Sequence, residues 1–200
     1  YRDGKLSYSS HKIYEYHKNG IPASCTYYNN DSGYIYTTHE EYDKNGNTTL
    51  SFYSSPDLDT KSFYEYDHNH TLRKSISYYN GWLDQVITYD ANGNCLSRIS
   101  YTEDGPVCFQ EFSTYNENGD ILISTSFDVV TDTTTRKEAT ICQYDDNGNL
   151  TEKIFYRDGE TTITDYEYDV LGSLTQKTIS YGNRENREVT CCKNDYELRH

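Results

Sequence analysis

The chain has 200 residues, of which 34% are hydrophobic, and 32 acidic side chains against 18 basic ones give a formal net charge of −14. That charge, with no basic cluster anywhere, argues against a nucleic-acid surface, and no apolar run approaches the roughly 18 residues of a membrane-spanning helix. Mean hydropathy is −0.94, yet 23 Tyr, 6 Phe and one Trp are too many aromatics for a solvated, disordered chain.

Tyrosine brings apolar area with a wet end, which suits a thin, half-exposed core. Only 3 prolines occur, so strand ladders run unbroken. The chain opens on Tyr1-Arg2-Asp3-Gly4-Lys5, an echo of Tyr156-Arg157-Asp158-Gly159-Glu160. With no initial Met, this opening is expected of a mature or trimmed piece from which an export signal or further repeats have been removed.

One turn then recurs along the chain. It is worn at Tyr16-His17-Lys18-Asn19-Gly20 and full at Tyr42-Asp43-Lys44-Asn45-Gly46-Asn47. Tyr66-Asp67-His68-Asn69-His70 is a looser copy, and Tyr89-Asp90-Ala91-Asn92-Gly93-Asn94 is full again. Tyr115-Asn116-Glu117-Asn118-Gly119-Asp120, Tyr144-Asp145-Asp146-Asn147-Gly148-Asn149 and Tyr168-Asp169-Val170-Leu171-Gly172-Ser173 come next, before a last trace at Cys192-Lys193-Asn194-Asp195-Tyr196-Glu197-Leu198. The leading residues stand at 16, 42, 66, 89, 115, 144, 168 and 192, so the spacing runs from 23 to 29. A period in that range signals a repeat array. Asn-Gly between strand-like runs signals a hairpin, since both residues tolerate positive φ.

Each repeat holds two runs. After the turn come Leu150, Ile154 and Tyr156, or Leu72, Ile76 and Tyr78, at even spacings that share one strand face. Before the next turn come Ile163 to Tyr168, or Phe63 to Tyr66, again alternating with polar residues. A second, variable turn joins the runs at Asn80-Gly81, Glu103-Asp104-Gly105 and Arg157-Asp158-Gly159. It lengthens at 54–59 and 128–135, and those insertions are expected to account for the longer spacings. Two strands per repeat give an all-β antiparallel meander of roughly 16 strands, curved or spiralling, with its Tyr/Leu/Ile face turned inward. Residues 1–200 form one array, and a closed β-barrel is the alternative.

The string Tyr-x-Tyr-Asp-x-x-Gly-Asn-Leu, closest at Tyr166 to Leu174 and nearly as good at Tyr144 to Leu150, resembles the YD repeat of RHS-type and wall-associated proteins. The resemblance implies β-hairpin repeats wound into a strip or shell, on bacterial exported, surface or toxin-delivery proteins. It implies no proteolytic activity here, because the self-cleaving carboxyl-terminal core segment of RHS toxins has no counterpart in this sequence.

Candidate sites are few. Asp43, Asn45 and Asn47, or Asp145, Asn147 and Asn149, offer oxygens at alternate positions. From Asp145, however, an EF-hand register puts Leu150 and Tyr156 where Gly and Glu belong. The turn residues Tyr42, Asp43, Gly46, Tyr89, Asp90, Gly93, Tyr144, Asp145, Gly148, Tyr168, Asp169 and Gly172 are therefore read as structural, with each Asp in an Asx-turn. Cys25, Cys95, Cys108, Cys142, Cys191 and Cys192 lack Cys-x-x-Cys spacing and the proximity a disulfide needs, so mostly free thiols are expected. His68 and His70 read as solvated turn residues. Trp82, at the Asn80-Gly81 turn, is the candidate ligand-binding aromatic, set against a packing role.

No nucleophile lies beside a base, and no metal or cofactor is called for. The first expectation is a non-catalytic interaction module on an extracellular or cell-surface bacterial protein. Its partner would be a glycan, a protein or another copy paired end to end. The second is a spacer or shell fragment of a larger RHS-like protein. The third is a polysaccharide hydrolase, which needs a cleft holding two carboxylates about 5 to 10 Å apart.

Overall fold

The computed structural model describes residues 8–31, 33–131, 134–182 and 187–188. The opening pentapeptide, Cys191, and the last turn copy with Cys192 lie outside them. The chain divides into two compact units, Tyr1–Cys108 and Phe109–His200.

The first unit holds β1 (Tyr8–Tyr16), β2 (Pro22–Asp31), β3 (Tyr34–Tyr42), β4 (Thr48–Ser54), β5 (Asp59–Tyr66), β6 (Leu72–Tyr79), β7 (Trp82–Tyr89) and β8 (Cys95–Tyr101). The strand β9 (Val107–Tyr115) opens the second, with its pairs to β10 (Ile121–Thr131) starting at Phe109. Then come β11 (Thr134–Tyr144), β12 (Leu150–Arg157), β13 (Glu160–Tyr168), β14 (Leu174–Tyr181) and the two-residue β15 (Arg187–Glu188). Within each unit every strand is antiparallel to the next, and chain order is sheet order. The all-β meander is as the sequence indicates, and the described residues hold no helix. The barrel alternative fails: in the first unit β1 pairs with β2 alone, so no closing ladder forms.

The repeated turn differs from the expected two-residue form. In Asp43–Asn47 the Asp43 N–H donates to the Asn47 carbonyl (2.9 Å) and the Gly46 N–H to the Asp43 carbonyl (3.1 Å). Only Gly46 has positive φ, at 90°, and the register shifts between Glu41 and Tyr42. This is a turn closed by a glycine bulge, so Asn45 stays in ordinary backbone space. The two-residue form occurs instead at Asn80-Gly81 (φ 46° and 86°) and Asp158-Gly159 (φ 49° and 97°).

Two readings of the variable turns change. Thr102–Pro106 is a copy of the five-residue turn, with Thr102 N–H to Pro106 O at 2.8 Å and Gly105 N–H to Thr102 O at 2.9 Å. The stretch 128–135 is chiefly strand, since Asp128 pairs with Arg136 and Thr131 with Thr134. The spacing of 29 therefore comes from two strands of 11 residues, not from a long loop. Residues 55–58 are a loop, closed by Ser55 N–H to Leu58 O at 2.9 Å, but inside a repeat of ordinary length.

The apolar residues do not share one inward face. In the first unit Leu50, Phe63, Ile76, Val86 and Ile99 stand opposite one another in a single cross-strand row. Tyr64 pairs with Ser75 and so lies on the other face. The second unit carries the equivalent row Ile123, Ile141, Ile154 and Ile163. Incoming tyrosines and outgoing aliphatics fall on opposite faces because the register shifts just past each turn, at Thr49, Arg73 and Leu96, invert the alternation. Neither face is sealed: Ile163, 9% exposed, is the one buried apolar side chain among the described residues. Directly opposed pairs contribute about 0.2–1 kcal/mol each, so these rows stand in for a core.

His70 occupies the glycine position of its turn with φ 65°. An L-residue there costs roughly 1–2 kcal/mol, partly offset by the hydrogen bond from Asn47 Nδ2 to His70 Nδ1 at 3.2 Å. His70→Gly is expected to raise urea-unfolding stability by about 0.5–1 kcal/mol; an unchanged or lowered midpoint contradicts this turn assignment.

Candidate functional site

The five-residue turns that follow β1, β3, β5 and β7 in the first unit, and β9, β11 and β13 in the second, lie at one end of the strands of their unit, while Thr102–Pro106 lies at the other end. Those led by Asp or Asn116 keep closely related internal bonding without identical sequence. Asp43 Oδ1 accepts the N–H groups of Asn45 (2.8 Å) and Asn47 (2.9 Å), and its Oδ2 accepts the Asn47 amide at 2.8 Å. Asp90 and Asp145 repeat all three bonds at 2.8–3.0 Å. Asp67 and Asp169 keep the two backbone bonds. At Asn116 the side chains exchange roles, since its amide donates to Asp120 Oδ2 at 3.0 Å.

These bonds hold the carboxylates ionised. Desolvation pushes Asp43 up, but the Asn47 and Asn45 donors together outweigh it and set the group at about 2. The Asn94 amide heads the causes that lower Asp90, and the Asn149 amide those that lower Asp145. The Asp oxygens face their own turn, which is the Asx reading. Among the described residues no three His, Cys, Asp or Glu side chains converge as a metal centre requires.

Neighbouring turns are tied to each other within a unit. His17 Nε2 bonds the Tyr42 carbonyl at 2.9 Å, and the Asn19 amide donates to the Lys44 carbonyl at 2.9 Å. His70 takes the Asn47 amide, so it bridges two turns and is not merely solvated. In the second unit Tyr144 OH donates to Ile121 O at 3.1 Å and Tyr168 OH to Leu150 O at 2.9 Å. Burial pushes Tyr144 up to about 12, helped by Cys142 and Asp120 nearby. Tyr42 donates instead to Glu40, a bond that raises its hydroxyl further. An open groove of about 440 Å³ lies between the last two described turns, lined by Asp145, Asn147, Asn149, Tyr168, Asp169 and Leu171. Val170 and Leu171 stand at its lip, 102% and 86% exposed.

Trp82 belongs to a different place. It faces Tyr79 across its own two-residue turn, ring centroids 5.8 Å apart and half-buried. The register extends this contact into one row on a single face: Tyr27, Thr38, Tyr53, Thr60, Tyr79 and Trp82, with Lys12 at its start. Lys12 Nζ lies 5.7 Å from the Tyr27 ring centre, and Tyr36 packs on Tyr27 and Tyr53 at 6.0 and 5.6 Å. From β2 to β7 the row spans about 24 Å. The sequence singles out Trp82 alone. The row becomes visible only when strand pairs are known, although Tyr27 and Tyr53 each stand eleven residues after a turn tyrosine, Tyr16 and Tyr42.

Other chemistry-bearing groups are dispersed. Thr26 Oγ1 lies 2.7 Å from His39 Nδ1, whose Nε2 is 3.5 Å from Glu41 Oε1, a cross-strand chain on the open sheet. Glu152, buried, accepts the Gln143 amide at 2.8 Å and stands opposite Asp165. Cys25, Cys108 and Cys142 are free, half-buried thiols, and Cys95 Sγ points to the Ser97 carbonyl at 3.6 Å.

The RHS Repeat family model matches residues 144–184, so the chain is RHS/YD-repeat-like, with the match falling on the turn pair Asp145 and Asp169. No curated protein matches. A solved structure of a mutated Tc holotoxin pore from Photorhabdus luminescens aligns at a TM-score of 0.37 and 12% identity, covering 88% of this chain and 12% of that chain. This chain thus spans a small part of that protein's length.

The turn carboxylates offer a direct check. Their folded pKa values lie below the usual carboxylate value, so their stabilisation is full above about pH 4 and disappears as pH falls through the depressed values. The amide proton shifts of Asn45 and Asn47 should titrate with a midpoint near 2, the value set for Asp43. A midpoint at the ordinary aspartate value near 4 would show that the carboxylate does not clamp the turn.

Proposed function

We propose that this chain is a non-catalytic structural repeat module of a bacterial exported or cell-surface protein, and that its tyrosine-rich face binds a glycan or protein. The observation that carries the reading is the unsealed row from Tyr27 to Trp82. Aromatic rings at regular cross-strand intervals on an open face suit stacking against sugar rings or capture of a protein side chain. Thr38 and Thr60 between the rings supply hydroxyls at the same level. The match of residues 144–184 to the RHS Repeat family supports the structural part of the proposal.

A spacer or shell role is the second reading, favoured by the same match and by the turn-to-turn ties, which suit a stiff strip. Self-association would use the outer edge of β1, whose described pairing is with β2 only. Hydrolysis is the least supported reading. Glu152 stands opposite Asp165 but is buried and bonded to Gln143 on a sheet face, and Asp145 and Asp169, which line the open groove, are each committed to the N–H groups of their own turn.

The single tryptophan makes the binding proposal measurable. Oligosaccharides captured from a glycan array, or a protein captured by pull-down, should change Trp82 fluorescence saturably. Tyr53→Ala should weaken that binding about tenfold or more while the far-ultraviolet spectrum stays β. Ligands that bind without touching Trp82 emission, or equally well to Tyr53→Ala, would remove the aromatic row from the account. Blank arrays and pull-downs would leave the spacer reading in its place.

A further inference from the structure

We infer that Arg98, on the same face as the aromatic row, and Arg73, at the bulge of β6, form a site for an oxyanion: a carboxylate, sulfate or phosphate group carried by the ligand. The inference rests on the binding role proposed above and adds the charge class of what is bound.

The register sets the geometry. Tyr64, Ser75, Ile87 and Arg98 stand opposite one another across β5 to β8, and Arg73 lies two residues before Ser75 on β6, at the register shift beside Tyr66. Ser75, in that row, is buried. Arg73 Nη1 and Arg98 Nε are both buried and without a hydrogen-bond partner. Leaving a buried guanidinium donor unmatched is costly, and native structures rarely do so.

The deficit is unusual in this chain. Acidic side chains outnumber basic ones by 32 to 18, yet neither arginine has a carboxylate within ion-pairing distance among the described residues. The carboxylates closest in charge to Arg73 are Asp67 and Asp90, both of which it helps to keep ionised. Both are already committed to turn N–H groups. Glu65 pairs with Lys74 at 4.0 Å, one residue out of step and hence on the opposite face. Arg157, by contrast, meets Glu138 at 2.7 Å in the second unit. Positive charge is thus withheld from internal pairing at one spot. A planar guanidinium accepts an oxyanion through two parallel N–H bonds, which an ammonium cannot do.

The site lies about four residues, or about 13 Å, along the strands from Tyr79 and Trp82, with the serine pair Ser62 and Ser77 between them. A ligand with an apolar ring face at one end and an acid group at the other would span both.

The test uses the whole chain and small ions. Sodium sulfate, phosphate and acetate are titrated separately, against sodium chloride at matched ionic strength, while the arginine Nε–H signals are followed by NMR. The expected result is a saturable shift of the Arg98 signal with a Kd of about 1–10 mM. Arg98→Lys should weaken it about tenfold, and the Arg73→Gln/Arg98→Gln pair should abolish the response that backbone amides of Ser75 and Ile87 also report. A response to acetate alone assigns a carboxylate ligand; one to sulfate or phosphate assigns those esters. No saturable shift by about 50 mM, or a backbone response kept in the double variant, overturns the inference. Trp82 emission is read in the same samples, so failure at the arginines is separable from failure of the aromatic row.

Discussion

A single carboxylate clamped on the backbone of its own turn fixes most of the strand arrangement in this molecule. Asp43, Asp90 and Asp145 each draw two N–H groups and one amide onto one side chain. The clamp sets the turn, and the register shift just past it decides which residues of the next strand face which side. Because side chains alternate with a period of two, a slip of one residue would exchange the two faces. The aliphatic rows and the tyrosine row exist because that slip does not occur.

The price of such an architecture is a sheet without a sealed interior. Residues that fill a core elsewhere are half-exposed here, and the polar residues Ser75, Ser113, Glu152 and Ser180 are among the best buried. Stability is then spread over cross-strand pairs, turn clamps and ties between successive turns. Each is modest, and each is local to its neighbours, as in other repeat arrays. A surface of this kind is also open to partners on both faces, which is why the functional reading turns to side-chain rows and not to a pocket.

Much of the fold is legible in the order of residues alone. Regular Tyr-Asp-x-x-Gly spacing marks the meander and the turn sites, because glycine at positive φ leaves a clear trace. The less legible parts share one physical cause. Whether Asn45 adopts positive φ depends on the Asp43 bonds, and these set a five-residue bulged turn where Asn-Gly alone suggests two residues. Whether 128–135 is loop or strand depends on pairing across a hairpin whose composition, rich in Thr and Val, suits either. Which face Tyr64 occupies depends on the bulge. The aromatic row and the two arginines are invisible in sequence for the same reason: Tyr53 and Trp82, or Arg73 and Arg98, are far apart along the chain and meet only through register.

Turn clamps and strand register, rather than burial, hold the sheet together. Urea unfolding of Asp90→Ala beside Ile76→Ala tests this most directly. The expected result is that Asp90→Ala lowers the midpoint at least as far as Ile76→Ala, and that Ile76→Ala loses less than the roughly 2–5 kcal/mol of a core site. A loss in that range at Ile76, with Asp90→Ala unchanged from the parent chain, would contradict it.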